Sequence, residues 1–252
     1  MHPELYPQIF SVQTSHWWGR NRRELSLDLL KRFGARQHCH YLDIGCGTGQ
    51  NLGFLDSLEP ERAVGIDVSS LALEFASKAR PHCELIQADI NGALPFPEDT
   101  FDVETIFGVL NHEWVESEIA VLQEAWRVLK RGGLLLVTEP AFPALSRALD
   151  VAGMTKRRYR LKPFVELLEA AKFDVLFSNY FTSFGAPIIL GTKALKQLLR
   201  QAPCASEVPD MRPMNAAINA AFYGLARMEA QLVKASIPIP FGTTIICVGR
   251  RR

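Results

Sequence analysis

Residues 41–50 read YLDIGCGTGQ, an apolar run that ends in three glycines spaced by two, Gly45, Gly47 and Gly49, with Asp43 just ahead of them. In a doubly wound α/β sheet the loop after the first strand lies beyond the carboxyl ends of the strands, where strand order reverses and a ligand settles. Glycine is needed there because the backbone must come close to the ligand and take up conformations that a β-carbon forbids. A chain that opens its sheet this way has to follow with further parallel strands joined by crossover helices.

The sequence does so. Short apolar runs, YLDIG, AVGIDV, CELIQADI, FDVETIFGVL and GLLLVTEP, alternate with longer stretches whose apolar residues fall three and four apart. Residues 69–79 and 118–129 read as helices, the first capped by Ser69 or Ser70, the second stopped by Arg131-Gly132-Gly133. Beyond Glu139 the spacing predicts a loop at 141–143, a helix over 162–171 with proline near its start, and a sixth strand at 173–177 (FDVLF). Helices follow near 192–200 and over 214–235, and a strand rich in β-branched residues, 241–249 (FGTTIICVG), closes the chain. The segment 201–213, dense in proline and polar residues, reads as a mobile connection. In the helix over 214–235, Ile218, Phe222, Leu225, Met228 or Glu229, and Leu232 recur at helical spacing. This predicts a packing face, and the polar side lacks the lysines of a membrane-surface helix.

Length and charge narrow the function. A chain of 252 residues, 48% hydrophobic, suits one large α/β domain. With 28 Lys+Arg against 27 Asp+Glu, no global attraction to a polyanion exists, and no nucleic-acid partner is expected. The five cysteines form no CxxC pair, which fits a reducing compartment. His38-Cys39-His40 is followed by no second ligand pair, so no metal site is expected. Residues 1–10 (MHPELYPQIF) lack a basic patch followed by an apolar core, and no apolar run nears the roughly 18 residues of a membrane span. These features predict a cytoplasmic protein with no membrane span; they leave the oligomeric state open.

Which ligand the loop receives turns on spacing and charge. The dinucleotide fingerprint is G-x-G-x-x-G, whereas here the spacing is G-x-G-x-G and Gln50 takes the sixth place. A pyrophosphate brings negative charge to the loop, and Asp43 does nothing to hold it. A ligand carrying an ammonium and a sulfonium, such as S-adenosylmethionine, is favoured by that carboxylate. Asp67 closes the second strand, where a carboxylate can accept from both ribose hydroxyls. Asp89 closes the third and can accept from an adenine amino group while Ile90 packs on the ring.

Together these residues resemble the class I S-adenosylmethionine-dependent methyltransferases. The matching pieces, YLDIGCGTGQN, GIDVSS, QADI, LPFPEDTFDV, GVLNHEW and EAWRVLKRGGLLLVTEP, stand in family order over roughly residues 41–140. The resemblance implies a mostly parallel seven-stranded Rossmann-like sheet whose last strand inserts antiparallel, with a helical N-terminal segment and a helical insertion before that strand. It divides one methyltransferase domain into a helical cap (1–36), a cofactor-binding core (37–140) and substrate-side helices and last strands (141–252). Gly45, Gly47 and Gly49 then let the backbone approach the methionine part of the cofactor, and Asp43 shapes the loop near its ammonium. Asp67 binds the ribose, Val68 flanks the adenine beside Asp89 and Ile90, and Gly108 offers its carbonyl or its empty space to the amino acid end. HWW at 16–18, and Asp150 followed by Arg157-Arg158-Tyr159, resemble a subgroup with the pattern D-x4-H-x-RRY; here Thr155 stands where that pattern has histidine.

His112, after the fourth strand where an acceptor must approach, is the leading general-base candidate, with His16 and Tyr159 as alternatives. His16, Trp17 and Trp18 read either as packing or as an aromatic wall for a sulfonium, placing Trp18 among candidate cofactor contacts. Arg20, Arg22 and Arg23 read as a solvated face from which one, assigned to Arg20, reaches the cofactor carboxylate. The basic cluster 156–160 reads as pairing with acidic neighbours or contact with an anionic substrate. The expected activity is methyl transfer to a small-molecule or glycan-type acceptor by direct displacement. An NAD-dependent oxidoreductase on a similar sheet and a non-catalytic cofactor-binding module are the alternatives.

Overall fold

A computed structural model describes residues 3–199 and 214–252 of the chain. Helices α1 (Leu5–Val12) and α2 (Trp17–Phe33) precede β1 (His40–Ile44); a 3-10 helix (Leu52–Leu58) then leads to β2 (Arg62–Asp67), α3 (Ser70–Ala79) and β3 (Glu84–Gln87). Next come β4 (Phe101–Phe107), α4 (Glu118–Val128), β5 (Leu129–Pro140), a 3-10 turn (Pro143–Leu145), α5 (Ala148–Ala152) and α6 (Leu161–Ala170). The chain continues through β6 (Phe173–Phe181), α7 (Gly185–Leu198), α8 (Ala216–Lys234) and β7 (Thr244–Arg251). The seven strands form one sheet in the order β3-β2-β1-β4-β5-β7-β6. β7 runs antiparallel to both neighbours, and the other pairings are parallel.

Strand order reverses between β1 and β4, which are direct neighbours with Asp43 opposite Thr105 and Ile44 opposite Ile106. Side chains alternate faces along a strand, so the sheet feeds two cores. Leu42, Ile44, Ile66, Ile106 and Val137 pack under Val121, Leu122 and Ala125 of α4 and Phe164 and Leu168 of α6. Tyr41, Val103, Phe107, Leu136 and Val248 pack under Leu25, Leu29 and Leu30 of α2 and Ala230 and Val233 of α8. Helix starts are fixed by side-chain caps. Ser69 accepts from the Ala72 amide, Ser117 from Ala120, and Asn215 from Ala217, each contact contributing about 0.5–2 kcal/mol.

Several boundaries depart from the sequence reading. Arg131-Gly132-Gly133 does not stop α4; the helix ends at Val128, and the tripeptide lies inside β5 as a bulge where pairing jumps from Phe101↔Leu129 to Val103↔Leu134. β6 runs to Phe181, well past the apolar FDVLF core, because β7 pairs with it over its full length. α7 begins at Gly185, before the expected 192, since turns at Thr182 and Ser183 already supply its first bonds. The connection at 201–213 lies outside the described residues. The largest departure is α8, where Ile218, Leu225, Met228 and Leu232 are exposed and the buried side is Ala226, Glu229, Ala230 and Val233. Small residues let α8 lie close on α2 and β6, and this turns its large side chains outward. Among the described residues, no helix is long and apolar enough to cross a membrane.

Candidate functional site

The glycine loop leaves β1 with the Gly45 and Cys46 amides donating to the Ile66 carbonyl at 2.8 and 2.9 Å, which ties it to the end of β2. Gly45, Gly47 and Gly49 all have positive φ, at 73°, 55° and 77°. Their surroundings differ. A Cβ on Gly45 would sit 2.5 Å from Val109 Cγ2, and one on Gly49 2.8 Å from Ala76 Cα, whereas one on Gly47 would meet nothing within 4 Å. The outer two glycines therefore serve close packing, and the middle one faces open space.

Asp67 closes this cradle. Its Oδ2 accepts from the Gly47 amide and its Oδ1 from the Ser69 amide, both at 2.9 Å, so one carboxylate holds the loop and starts α3. Val68, next to it, is an exposed apolar side chain, as a wall residue for a flat ring has to be. Asp89 is exposed too, with Oδ1 accepting from the Asn91 amide. Ile90 is not at the surface. It is buried in the core with Ile66 and Leu94, so its side chain is committed to packing, and Val68 is the exposed apolar group beside Asp67.

Beneath the loop lies a buried polar column. Tyr41 Oη is 2.6 Å from Thr105 Oγ1, which donates to Asp43 Oδ1 at 2.7 Å. Thr105 has one hydroxyl proton and gives it to Asp43, so Tyr41 supplies its own to Thr105. Asp43 Oδ2 is buried without a partner. Burial pushes the Asp43 carboxyl up to about 7, opposed by the Thr105 bond and the Arg22 charge. Arg22 is buried, lies over the Trp18 and Phe107 rings at 4.4 and 4.8 Å, and donates from Nη2 to Asn51 Oδ1 at 3.1 Å, with Nε left unpartnered. Arg20, the arginine expected to turn inward, instead pairs with Glu24 at 3.0 Å and lies over Tyr223 on the surface. The two residues stand about 200° apart on a helix, so only one can face the sheet.

A second carboxylate shapes the far wall. Glu139, near the end of β5, accepts from the Val109 and Leu110 amides at 3.0 and 2.9 Å and from Asn111 Nδ2 at 2.9 Å. It is fully buried, and desolvation pushes it up to about 7 despite these bonds. Glu139 was not singled out in the sequence, although a carboxylate closing the run GLLLVTEP was visible there. Gly108 has φ 68° and donates to the Thr138 carbonyl at 2.7 Å, placing the loop after β4 beside the glycine cradle.

That loop is held from a third side by the basic cluster. Arg157 donates to the His112 and Val115 carbonyls and pairs with Glu118 at 3.0 Å; Arg158 pairs with Asp150 at 2.8 Å. Tyr159 donates its hydroxyl to the Leu110 carbonyl at 2.8 Å, and burial raises its pKa further, so it braces the loop and is no proton acceptor. His16 is also committed: its Nδ1 accepts from the Trp18 amide and caps α2. His112 differs from both. Its Nδ1 is buried without a hydrogen-bond partner, its ring stacks on Trp114 at 5.5 Å, and desolvation lowers its pKa. It stands opposite Thr155 in an isolated antiparallel bridge.

The N-terminal helices lie across the cradle. Thr48 Oγ1 donates to Gln13 Oε1 at 2.8 Å, Phe10 packs on Phe75 of α3 at 5.2 Å, and Leu5, Tyr6 and Val12 are buried. Trp17 sits between Phe184 and Phe222, 5.4 Å from each.

These residues fit S-adenosylmethionine. Open space at Gly47, an orphaned carboxylate oxygen on Asp43, an orphaned guanidinium nitrogen on Arg22 and an exposed apolar residue beside Asp67 match an ammonium, a carboxylate and a nucleoside. A model of the family described as methyltransferase domain matches residues 42–137. The chain is 33% identical over 148 residues to a demethylmenaquinone methyltransferase of Symbiobacterium thermophilum, covering 56% of each chain. It is 31% identical over 139 residues to a trans-aconitate 2-methyltransferase of an Enterobacter species, covering 55% of this chain and 50% of that one. The chain thus spans about half the length of the curated relatives it matches. A solved structure described as a putative sarcosine dimethylglycine methyltransferase from Galdieria sulphuraria shares the fold, with TM-score 0.61, 14% identity, and coverage of 92% of this chain and 86% of that one.

Proposed function

We propose that this chain, whose residues 42–137 match the methyltransferase-domain family, is a class I S-adenosylmethionine-dependent methyltransferase that transfers the cofactor's methyl group to a small-molecule or glycan-type acceptor by direct displacement. The observation that carries this reading is the charge of the buried column, with Asp43 Oδ2 and Arg22 Nε both unpartnered, beside a glycine loop whose Gly47 has open space where a side chain would stand. A carboxylate and a guanidinium that each keep one polar atom unpartnered match the two ends of an amino acid, and a dinucleotide pyrophosphate gains nothing from the carboxylate.

The bound cofactor supplies an electrophilic methyl on a positively charged sulfur. The chain's own residues then have to orient, desolvate and, for a protonated acceptor, take a proton. Gly47 and Asp67 hold the loop, with Asp67 accepting the ribose hydroxyls once the nucleoside lies beside Val68. Asp89 accepts from the base, Arg22 takes the carboxylate end, and Trp18 holds Arg22 flat. Orientation of this kind supplies on the order of 7–11 kcal/mol in well-aligned systems. His112, kept neutral by burial, is the base for an acceptor that must lose a proton, since His16 and Tyr159 are committed elsewhere. The helices of residues 1–36 form the cover over the core of residues 37–140, and residues 141–252 build the acceptor side of one domain. Demethylmenaquinone and trans-aconitate, the acceptors in the relatives' names, are both small molecules, which supports that class of substrate.

Calorimetric titration tests the cofactor half. S-adenosylhomocysteine is expected to bind with micromolar affinity and NAD not at all; the reverse pattern overturns the reading. Asp67→Ala is expected to weaken that binding by about 1.5–3 kcal/mol, the size of a hydrogen-bond set made to a charged group. Removing the residues before Arg20 is expected to loosen cofactor retention, and unchanged binding and turnover would exclude the cover.

A further inference from the structure

A cavity of about 590 Å³ opens at the end of the sheet opposite the glycine loop. It lies where β1 starts at His40, where β4 and β5 start, and where the antiparallel β7 nears its end at Arg250. Small-molecule sites run from roughly 300 to 1,000 Å³, so this one has the volume for such a ligand. Phe33, Val103 and Leu134 give it an apolar wall. The bulge in β5 shapes its rim. Pairing of β5 with β4 resumes only at Leu134, and pairing with β7 starts at the same residue, so residues 130–133 stand outside both ladders and Arg131 is carried to the rim.

Charge decides what fits it. Arg36, Lys130, Arg131 and Arg250 line the cavity against two carboxylates, Glu61 and Asp102. Both carboxylates are already engaged. Asp102 pairs with Lys130 at 2.8 Å and accepts from the His40 amide, and Glu61 lies 3.6 Å from His40 Nε2. Arg250 answers the negative end of α2 by donating from Nη2 to the Phe33 carbonyl at 3.0 Å. Arg36 and Arg131 remain. Among the described residues their guanidinium groups make no hydrogen bond or ion pair, although they come from distant parts of the chain to one concavity. Two such forks repel each other across the space they share, and an anion that accepts from both relieves the repulsion. A polynucleotide calls for a longer stripe of cations, and this chain is close to neutral overall.

We propose that this cavity is a second ligand site, apart from the cofactor cradle, and that it takes a small molecule with at least two negative charges on phosphoryl or carboxyl groups, held between Arg36 and Arg131. This does not depend on the methyl-transfer reading. Calorimetric titration of the full chain at low salt, with excess S-adenosylhomocysteine present, is expected to show inorganic pyrophosphate or citrate binding with a Kd below about 1 mM. Whichever of the two binds more tightly tells phosphoryl from carboxyl chemistry. Arg36→Ala and Arg131→Ala are each expected to weaken that binding about tenfold, as the loss of a charged donor does, with the circular dichroism spectrum and thermal midpoint unchanged. Lys196→Ala, which removes an exposed cation on α7, is expected to leave it as it was. Failure of both anions to bind at that strength, or equal weakening by Lys196→Ala, overturns the proposal. So does binding abolished by about 0.15 M chloride, which would mean an adventitious ion only. Binding that appears only without S-adenosylhomocysteine would put the anion in the cradle and overturn it too. Retention on immobilised DNA that is lost in Arg36→Ala/Arg131→Ala, with neither small anion bound, would assign the cavity to a polynucleotide instead.

Discussion

His112 and Thr155 face each other across an antiparallel bridge that joins the loop after β4 to the segment after α5. The pattern that resembles this chain has histidine at the position of Thr155, and here the imidazole stands directly opposite. If the imidazole serves the chemistry, it is supplied from the other strand of this pair. His112→Phe is expected to lower kcat by about 10²–10⁴, the usual share of a general base, with cofactor affinity unchanged. The exchange His112→Thr/Thr155→His is expected to recover part of the loss. Equal activity of His112→Phe and wild type, in steady-state assays on a cognate acceptor, would remove His112 from the chemistry.

Arg22 and Arg20 make a paired test of which arginine serves the site. Arg22→Met leaves Asp43 and Glu139 without their nearby cation and is expected to cost about 3 kcal/mol or more in denaturant unfolding, as breaking a buried charge set does. It is also expected to weaken binding of S-adenosylhomocysteine. Arg20→Met removes an exposed ion pair and is expected to stay within about 0.5 kcal/mol. The opposite ranking would restore Arg20 to the site.

The glycine loop separates packing from binding. Gly49→Ala forces a Cβ to within 2.8 Å of Ala76 Cα and is expected to lower the thermal midpoint by several degrees. Gly47→Ala meets no atom and bears only its positive φ, a cost of roughly 1–2 kcal/mol. Its larger effect is expected in cofactor affinity, because the methyl group enters the space the ligand needs. Calorimetry on the two variants distinguishes these effects.

Stability is expected to fall as pH rises toward neutrality. Burial holds Asp43 and Glu139 up to about 7, so the folded chain keeps protons that the unfolded chain releases near pH 4. With the unfolded state binding fewer protons, this contribution is full below about pH 4 and lost as pH passes through 7, by at most about 1.4 kcal/mol per unit for each group. Asp43→Asn is expected to flatten the fall between pH 5 and 8 in denaturant titrations. An unchanged slope would show that Asp43 is ionised in the folded protein across that range.

The sequence by itself determined the sheet and the cradle. Alternating apolar runs and helical spacings mark all seven strands, and the glycines at 45, 47 and 49 with Asp67 mark the end of β1 and β2, because backbone conformation and strand-end position are local properties. Tertiary structure decided everything that depends on direction across space. It turned Arg22 inward and left Arg20 outside, committed Tyr159 and His16 to bracing and capping, buried Ile90, and recruited Glu139 to hold the loop after β4. It also turned α8, burying Glu229 of the expected face together with Ala226, Ala230 and Val233 and leaving Ile218, Leu225 and Leu232 exposed. Periodicity shows that a helix has a face but not which neighbour meets it, and the small residues of α8 lie closer to α2 than its leucines could.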